Sequence, residues 1–327
     1  MKIRTRIMNN TITDILDVLK NCSSFAIAGH TNPDGDAIGA CMGLAHILRN
    51  AGKSADVYLE PVADTFYCIP GTDTIIDAEL CRGRYDAFIA LDCGDIDRLP
   101  SKVKEVYTSS PLTVNIDHHM SNDYFGMDNY VLDGASSTSE IIFSLVKDDF
   151  EVTKDAAAAL YAGIIYDTGG LRHTSTSPFT MNVVAQLMSK GINFSSIYNE
   201  IFNKRSFVEA KLMGLALTKL KTACEGKIVY SFLTKEEISS VNGSSKDVSE
   251  IINYIKSVKG ASAAVFIYEK GENESKVSMR ADEPVNVAEI ASSFGGGGHA
   301  RAAGYTAYSD AESALVPVLK ILEDMLK

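Results

Sequence analysis

FAIAGHTNPDGDAIG, running from Phe25 to Gly39, carries a strand, a turn and a helix start in one short stretch. The apolar run Phe25–Ala28 has the character of a buried parallel strand, which needs no polar alternation because both its faces are covered. A turn with His30, Asp34 and Asp36 follows, and Ile38, Met42, Ala45 and Leu48 then recur at helical spacing. One imidazole and two carboxylates therefore lie between the carboxyl end of a strand and the start of a helix. Open α/β sheets place their ligands there, and these groups are good ligands for Mn²⁺, Fe²⁺ or Zn²⁺. The same residues have a plainer use. Asn32-Pro33-Asp34-Gly35 is good turn chemistry, and Asp36 can cap the helix.

Outward from this stretch the pattern repeats. Ala55–Leu59 reads as a second strand. Ala87–Leu91 is a third and runs directly into Asp92-Cys93-Gly94-Asp95. Leu112–Ile116 is a fourth and runs into Asp117-His118-His119, with a short fifth strand expected at Val131-Leu132. In a parallel sheet these strand ends share one side. Helices are expected over Ser136–Val146 and Asp155–Ile165, the second ending in Tyr166-Asp167. An aspartate at a helix C-terminus opposes the helix dipole, so Asp167 has a reason other than helix stability. The candidate ligands are His30, Asp34, Asp36, Asp92, His118 and Asp167. They suit two divalent ions sharing a carboxylate, with the ions roughly 3.5–4 Å apart. Two such ions cancel the charge of the four aspartates, which would otherwise repel one another.

The chain has 327 residues and is 46% hydrophobic, with a formal net charge of -11. Its acidity argues against coating long duplexes, which takes many Lys/Arg–phosphate contacts. Six cysteines without a C-x-x-C pair argue for reduced thiols in a cytoplasmic protein. The amino-terminal MKIRTRIMNNTITDILDVL lacks the apolar core of a secretory signal, and no run is long enough to span a membrane. The fold class expected is α/β: a parallel sheet flanked by helices, then a smaller mixed α/β domain. Residues 1–205 form the first domain, 206–225 a connector containing a helix from Phe207 to Thr222, and 226–327 the second domain.

His30-Thr31-Asn32-Pro33-Asp34-Gly35-Asp36, Leu91-Asp92-Cys93-Gly94-Asp95, Asp117-His118-His119 and Tyr166-Asp167-Thr168-Gly169 together resemble the motifs of the DHH phosphoesterase superfamily. Gly295–Gly304 resembles a loop of its associated C-terminal domain. Chain length, connector and the Ser278-Met279-Arg280 strand resemble the NrnA-type subgroup, nanoRNases that also act as 3'-phosphoadenosine-5'-phosphate (pAp) phosphatases. The resemblance implies that His30 and Asp34 hold one Mn²⁺ and that Asp36, His118 and Asp167 hold a second. Asp92 would bridge them and His119 would face the scissile phosphate. Asp117 would orient the histidines, and Asp95 would serve a turn. Water activated by the two metals would attack phosphorus in short RNA oligonucleotides and pAp. The dinucleotide pApA, from cyclic-dinucleotide breakdown, is a rival substrate, and a non-catalytic nucleotide-binding protein is the alternative from another class. A homodimer is expected from the resemblance alone.

The glycine run needs its own argument. Gly295 to Gly298 let backbone N–H groups approach an anion, and His299, Arg301 and Arg280 add side-chain donors. Gly297, Gly298, His299, Arg301 and Arg280 are accordingly candidate binding residues for a second substrate phosphate. A tight turn or hinge is the plainer use. Few other basic residues line up to track a strand, which favours short substrates.

Overall fold

The computed structural model describes residues 9–326. Residues 1–8, part of the stretch read above as no secretory signal, lie outside the described residues. The chain divides into two compact units at Lys204/Arg205.

The first unit is built on six strands: β1 (Ser24–Ala28), β2 (Ser54–Leu59), β3 (Ile76–Asp77), β4 (Ala87–Leu91), β5 (Thr113–Asp117) and β6 (Asp128–Val131). All pair parallel, in the order β3-β2-β1-β4-β5-β6. Its helices are α1 (Ile12–Asn21), α2 (Gly35–Asn50), α3 (Ser101–Ser109), α4 (Thr138–Val146), α5 (Lys154–Asp167), α6 (Pro178–Ser189) and α7 (Phe194–Tyr198). Along β1, large and small side chains alternate between faces. Phe25 and Ile27 of β1 pack with α1, α2, α4 and α5, whereas Ala26 and Ala28 pack with Phe88, Val103 and Tyr107 on the other side. Both faces are covered, which is why β1, β4 and β5 read as continuous buried runs. The chain leaves β1 toward β2 and leaves β4 toward β5. The strand order therefore reverses between β1 and β4, and that reversal opens a crevice at their carboxyl ends.

The second unit has a six-stranded mixed sheet in the order β11-β12-β10-β9-β8-β7. Its elements are α8 (Phe207–Thr218), β7 (Lys221–Ala223), β8 (Ile228–Leu233), α9 (Lys235–Ser240), α10 (Ile251–Lys256), β9 (Ala263–Gly271), β10 (Glu274–Ala281), α11 (Val287–Ser293), β11 (Gly297–His299), β12 (Ala302–Ala307) and α12 (Ala311–Leu326). Only β8 and β9 pair parallel. Among the described residues no helix is long and apolar enough to cross a membrane.

Several boundaries differ from those the sequence suggests. The helix expected over 207–222 stops at Thr218, because Lys221–Ala223 turn back and pair with β8. That reversal is made by Cys224, Glu225 and Gly226, all at positive φ. Within the expected connector, Leu212 and Ala216 of α8 are fully buried in the core of the second unit. The short strand expected at Val131-Leu132 is instead Asp128–Val131, paired with β5. The glycine run, expected as a loop, is a hairpin arm. Gly298 has φ 141° and lies so close to β12 that a Cβ would sit 2.5 Å from the Ala302 carbonyl oxygen.

Candidate metal centre

The crevice residues come from four places. His30, Asp34 and Asp36 follow β1, Asp92 follows β4, His118 and His119 follow β5, and Asp167 ends α5. Glycines bring the last of these to the first. A Cβ on Gly35 would lie 2.5 Å from the Tyr166 ring, one on Gly39 2.7 Å from Gly163 N, and one on Gly43 2.5 Å from Leu160. The start of α2 therefore lies against the end of α5, and the two helices run antiparallel at close range. Gly163 is the tightest point, where a Cβ would sit 2.0 Å from Ser139 Oγ and 2.6 Å from Asp36 Oδ1.

Three ligand clusters result: His30, Asp34 and Asp92; Asp36, His118 and Asp167; and Asp92, His118 and His119. Asp92 Oδ2 is 3.7 Å from His30 Nε2, and Asp34 Oδ1 is 3.8 Å from the same nitrogen. On the other side, Asp92 Oδ1 is 3.5 Å from His118 Nε2, which is 3.1 Å from Asp167 Oδ2. One oxygen of Asp92 thus faces each set. Asp92 itself has φ 54°, a conformation uncommon outside glycine and concentrated at functional sites.

Hydrogen bonds fix which atoms face inward. His30 Nδ1–H donates to the Thr31 carbonyl at 2.8 Å and His118 Nδ1–H to the Ala135 carbonyl at 3.3 Å, leaving both Nε2 atoms for a ligand. His119 Nδ1–H donates to Asp117 Oδ1 at 2.7 Å, and Asn122 Nδ2–H donates to Asp117 Oδ2 at 2.6 Å. Asp117 thus faces His119 and Asn122. Asp34, not Asp36, caps α2, accepting from the Asp36 and Ala37 amides at 3.0 and 3.1 Å. Asp95 Oδ1 accepts from Asp97 N at 2.8 Å and caps a short turn.

Asp36 and Asp92 are 0% and 2% exposed. Burial, with the charge of Asp92 beside it, pushes the Asp36 carboxyl well above its ordinary range. Burial, with the charge of Asp34, pushes Asp92 up to about 6. For His118, burial is outweighed by Asp167, Asp36 and Asp92, which drive its imidazolium up to about 10. Burial also works against ionised Asp34, but His30 and the Ala37 and Asp36 amides more than offset it and hold its pKa below the usual value. The ion-pair partners of Asp34, Asp92 and Asp167 among the described residues are histidines. Four carboxylates packed around two imidazoles, two of the acids fully buried, fit divalent cations. Mixed oxygen and nitrogen donors suit Mn²⁺, Fe²⁺ or Zn²⁺.

A profile of the DHH family, N-terminal domain, matches residues 24–164, and one of the DHHA1 domain matches residues 206–327. The bifunctional oligoribonuclease and PAP phosphatase NrnA of Thermus thermophilus is 30% identical over 303 residues, covering 92% of this chain and 89% of that one. The chain belongs to the DHH phosphoesterase family. It is accordingly a hydrolase acting on phosphate esters. NrnA of Bacillus subtilis is 26% identical, over 91% of this chain and 93% of its own. An exopolyphosphatase-related protein from Bacteroides fragilis superposes with a TM-score of 0.83 at 26% identity, covering 96% and 97% of the two chains.

The six candidate ligand residues named from sequence, with His119, lie together in the DHH unit. Arg280, Gly297, Gly298, His299 and Arg301 lie in the DHHA1 unit. Arg280 on β10 is opposite Ala302 on β12, which is opposite His299 on β11, so the three share one face of the sheet. Arg280 is half-buried, and burial lowers its guanidinium pKa. Arg301 is engaged elsewhere: Nη1–H donates to the Val285 carbonyl at 2.7 Å, and Nη2 pairs with Glu283 at 2.7 Å. Sequence reasoning missed Thr138 and Ser139, whose amides hold Asp36 at 2.6 and 3.0 Å. It also missed the roles of Gly39 and Gly163. The signals were present as Ser136-Ser137-Thr138-Ser139 and as glycines at 35, 39 and 43, every fourth residue.

Proposed function

We propose that this chain is a Mn²⁺-dependent phosphoesterase that hydrolyses short RNA oligonucleotides and converts pAp to AMP. The observation that carries the reading is the division of Asp92 between two ligand sets, one oxygen toward each. The names of the two relatives, similar over most of the chain, support the substrate class. His30, Asp34 and Asp92 would hold one ion; Asp36, His118, Asp167 and Asp92 the other. When bound, the pair supplies Lewis acidity for water activation and for the charge on phosphate.

The protein's own groups do the rest. Asp117 holds Nδ1 of His119, so Nε2 is the ring atom left for substrate. The bond to Asp117 also raises the His119 pKa, which favours the form that carries a proton at Nε2. From there it stabilises the scissile phosphate oxygens and serves the leaving 3'-oxygen. In the DHHA1 unit, Arg280, His299 and the Gly297–Gly298 backbone bind a second phosphate. Arg301 joins them by exchanging Glu283 for that phosphate. A net charge of -11 leaves little to hold a long strand, so short substrates are preferred; pApA falls in the same class. A homodimer is part of the same proposal.

The test compares kcat/KM for pAp, pApA, a short RNA oligomer and pyrophosphate on the Mn²⁺-loaded chain. Adenine nucleotides and RNA turning over, with pyrophosphate poor, is expected. Pyrophosphate as the best substrate would overturn the reading.

A further inference from the structure

Asp92 has to serve two ligand sets at once, and its own chemistry does not make it do so. The terminal torsion of an aspartate is broad and soft, so the carboxylate can turn both oxygens toward one set. A neighbour stops it. Thr138, wholly buried, donates its hydroxyl to Asp92 Oδ1 at 3.0 Å. That is the oxygen facing His118, so fixing it leaves Oδ2 on the His30 side. The amide of the same residue donates to Asp36 Oδ2 at 2.6 Å. Thr138 is therefore bonded to a carboxylate from the strand β4 end and to one from helix α2. It stands in the first turn of α4, where Ser137 Oγ accepts from the Glu140 amide, so its position is set by a capped helix. The neighbouring Ser139 also gives its amide to Asp36, at 3.0 Å, and its buried hydroxyl forms no hydrogen bond to Asp92. The two adjacent buried hydroxyls thus serve different carboxylates: that of Thr138 makes a formed hydrogen bond to Asp92, whereas that of Ser139 lies by Asp36 and lowers its pKa.

We propose that Thr138 is a positioning residue that keeps Asp92 divided between the two ligand sets, so that the second ion binds tightly only while its hydroxyl is present. The inference rests on the two-ion reading above and concerns a residue that would touch neither metal nor substrate. Partners of this kind change metal affinity by about 10–100-fold when removed.

Mn²⁺ titration calorimetry on the full metal-free chain tests it, with thermal melts of the same samples. Wild type should take up two ions. Thr138→Val keeps the side-chain shape and deletes the donor; the weaker of its two binding steps should lose about 10–100-fold while the tighter step holds. Thr138→Ser, which restores the donor, should recover both steps. Electron paramagnetic resonance at two equivalents gives a second readout, with the coupled-pair signal of wild type replaced in Thr138→Val by that of isolated and free ions. A Thr138→Val protein with both steps at wild-type affinity overturns the proposal. Should that variant fail to fold, Thr138→Ser against Thr138→Ala makes the same comparison, and equal affinities overturn it. A wild-type protein that binds no Mn²⁺ sinks the two-ion reading itself, a distinguishable failure.

Discussion

Replacing Gly39 by alanine adds one methyl group that touches no ligand, and it should nevertheless disable the metal centre. The new Cβ would lie 2.6 Å from the Ala159 carbonyl oxygen, 2.7 Å from Gly163 N and 2.9 Å from Gly163 Cα. All three are backbone atoms of α5, so no side chain can swing aside. A methyl carbon needs about 3.5 Å from such neighbours, so α2 and α5 must part by roughly 1 Å. Overpacking of this kind costs about 1–3 kcal/mol, and alanine returns up to about 1 kcal/mol as the better helix former. The variant should therefore fold, with a net loss of about 2 kcal/mol or less. The site is less forgiving. Asp34 and Asp36 ride on the start of α2 and Asp167 on the end of α5, so the separation falls between members of one ligand cluster. A misplacement near 1 Å can cost about 100-fold in rate. The assay is kcat/KM on pAp at saturating Mn²⁺, with a melt and a Mn²⁺ titration on the same preparation. A folded Gly39→Ala protein with wild-type Mn²⁺ affinity and turnover would refute the claim that this helix contact sets the site. Gly43→Ala is the graded comparison. Its Cβ meets the movable Leu160 side chain at 2.5 Å, further from the ligands, so its effect should be smaller.

The pKa shifts give a second prediction. Asp92 is raised to about 6 and burial also raises Asp36 well above its ordinary value, so in the metal-free protein both contribute stability at low pH that is lost as pH climbs. For Asp92 that window runs from its ordinary value of 3.8 to about 6. Ligands must shed these protons to bind metal. The Mn²⁺-induced rise in Tm should therefore grow as pH climbs through about 6, and calorimetry in buffers of different ionisation heat should detect proton release; a pH-independent shift with no protons released would contradict it. Third, His119→Ala should lower kcat by about 100- to 10,000-fold and leave both Mn²⁺ binding steps intact. Loss of a binding step would show instead that His119 is a ligand within the Asp92–His118–His119 cluster. Fourth, Arg280→Ala should raise KM for pAp and leave a substrate with one phosphate nearly unchanged; an equal change for both would remove Arg280 from second-phosphate binding.

Much of the candidate centre was legible because its residues follow a local rule. A ligand at the carboxyl end of an apolar strand can be found without knowing the strand order, and His30, Asp92 and His118 follow such strands. Asp167 was legible for a related reason, a charge set against the helix dipole at a helix end. The boundary of α8 was harder to see. Leu220, Lys221 and Thr222 continue an apolar-polar pattern that fits a helix or a strand over so few residues, and pairing with β8 decided the matter. The glycine hairpin was obscured in the same way. Composition shows that Gly298 has no side chain, but not that β12 needs the space.

The supporting parts were obscured because they are defined only by contact. Nothing local distinguishes Thr138, whose hydroxyl is bonded to Asp92, from Ser139, whose side chain acts on Asp36 instead. Both belong to a Ser/Thr run that reads as helix-start chemistry, and that use is real, since Ser137 caps α4. The same start of α4 supplies the two amides that hold Asp36. One sequence feature therefore serves helix stability and ligand positioning together. For that reason, removing the cap should disturb metal binding as well as the helix: Ser137→Ala, at about 1 kcal/mol for a lost N-cap, should weaken Mn²⁺ uptake along with lowering Tm. A Tm change with Mn²⁺ affinity untouched would show that the α4 start and the ligand Asp36 are energetically separate.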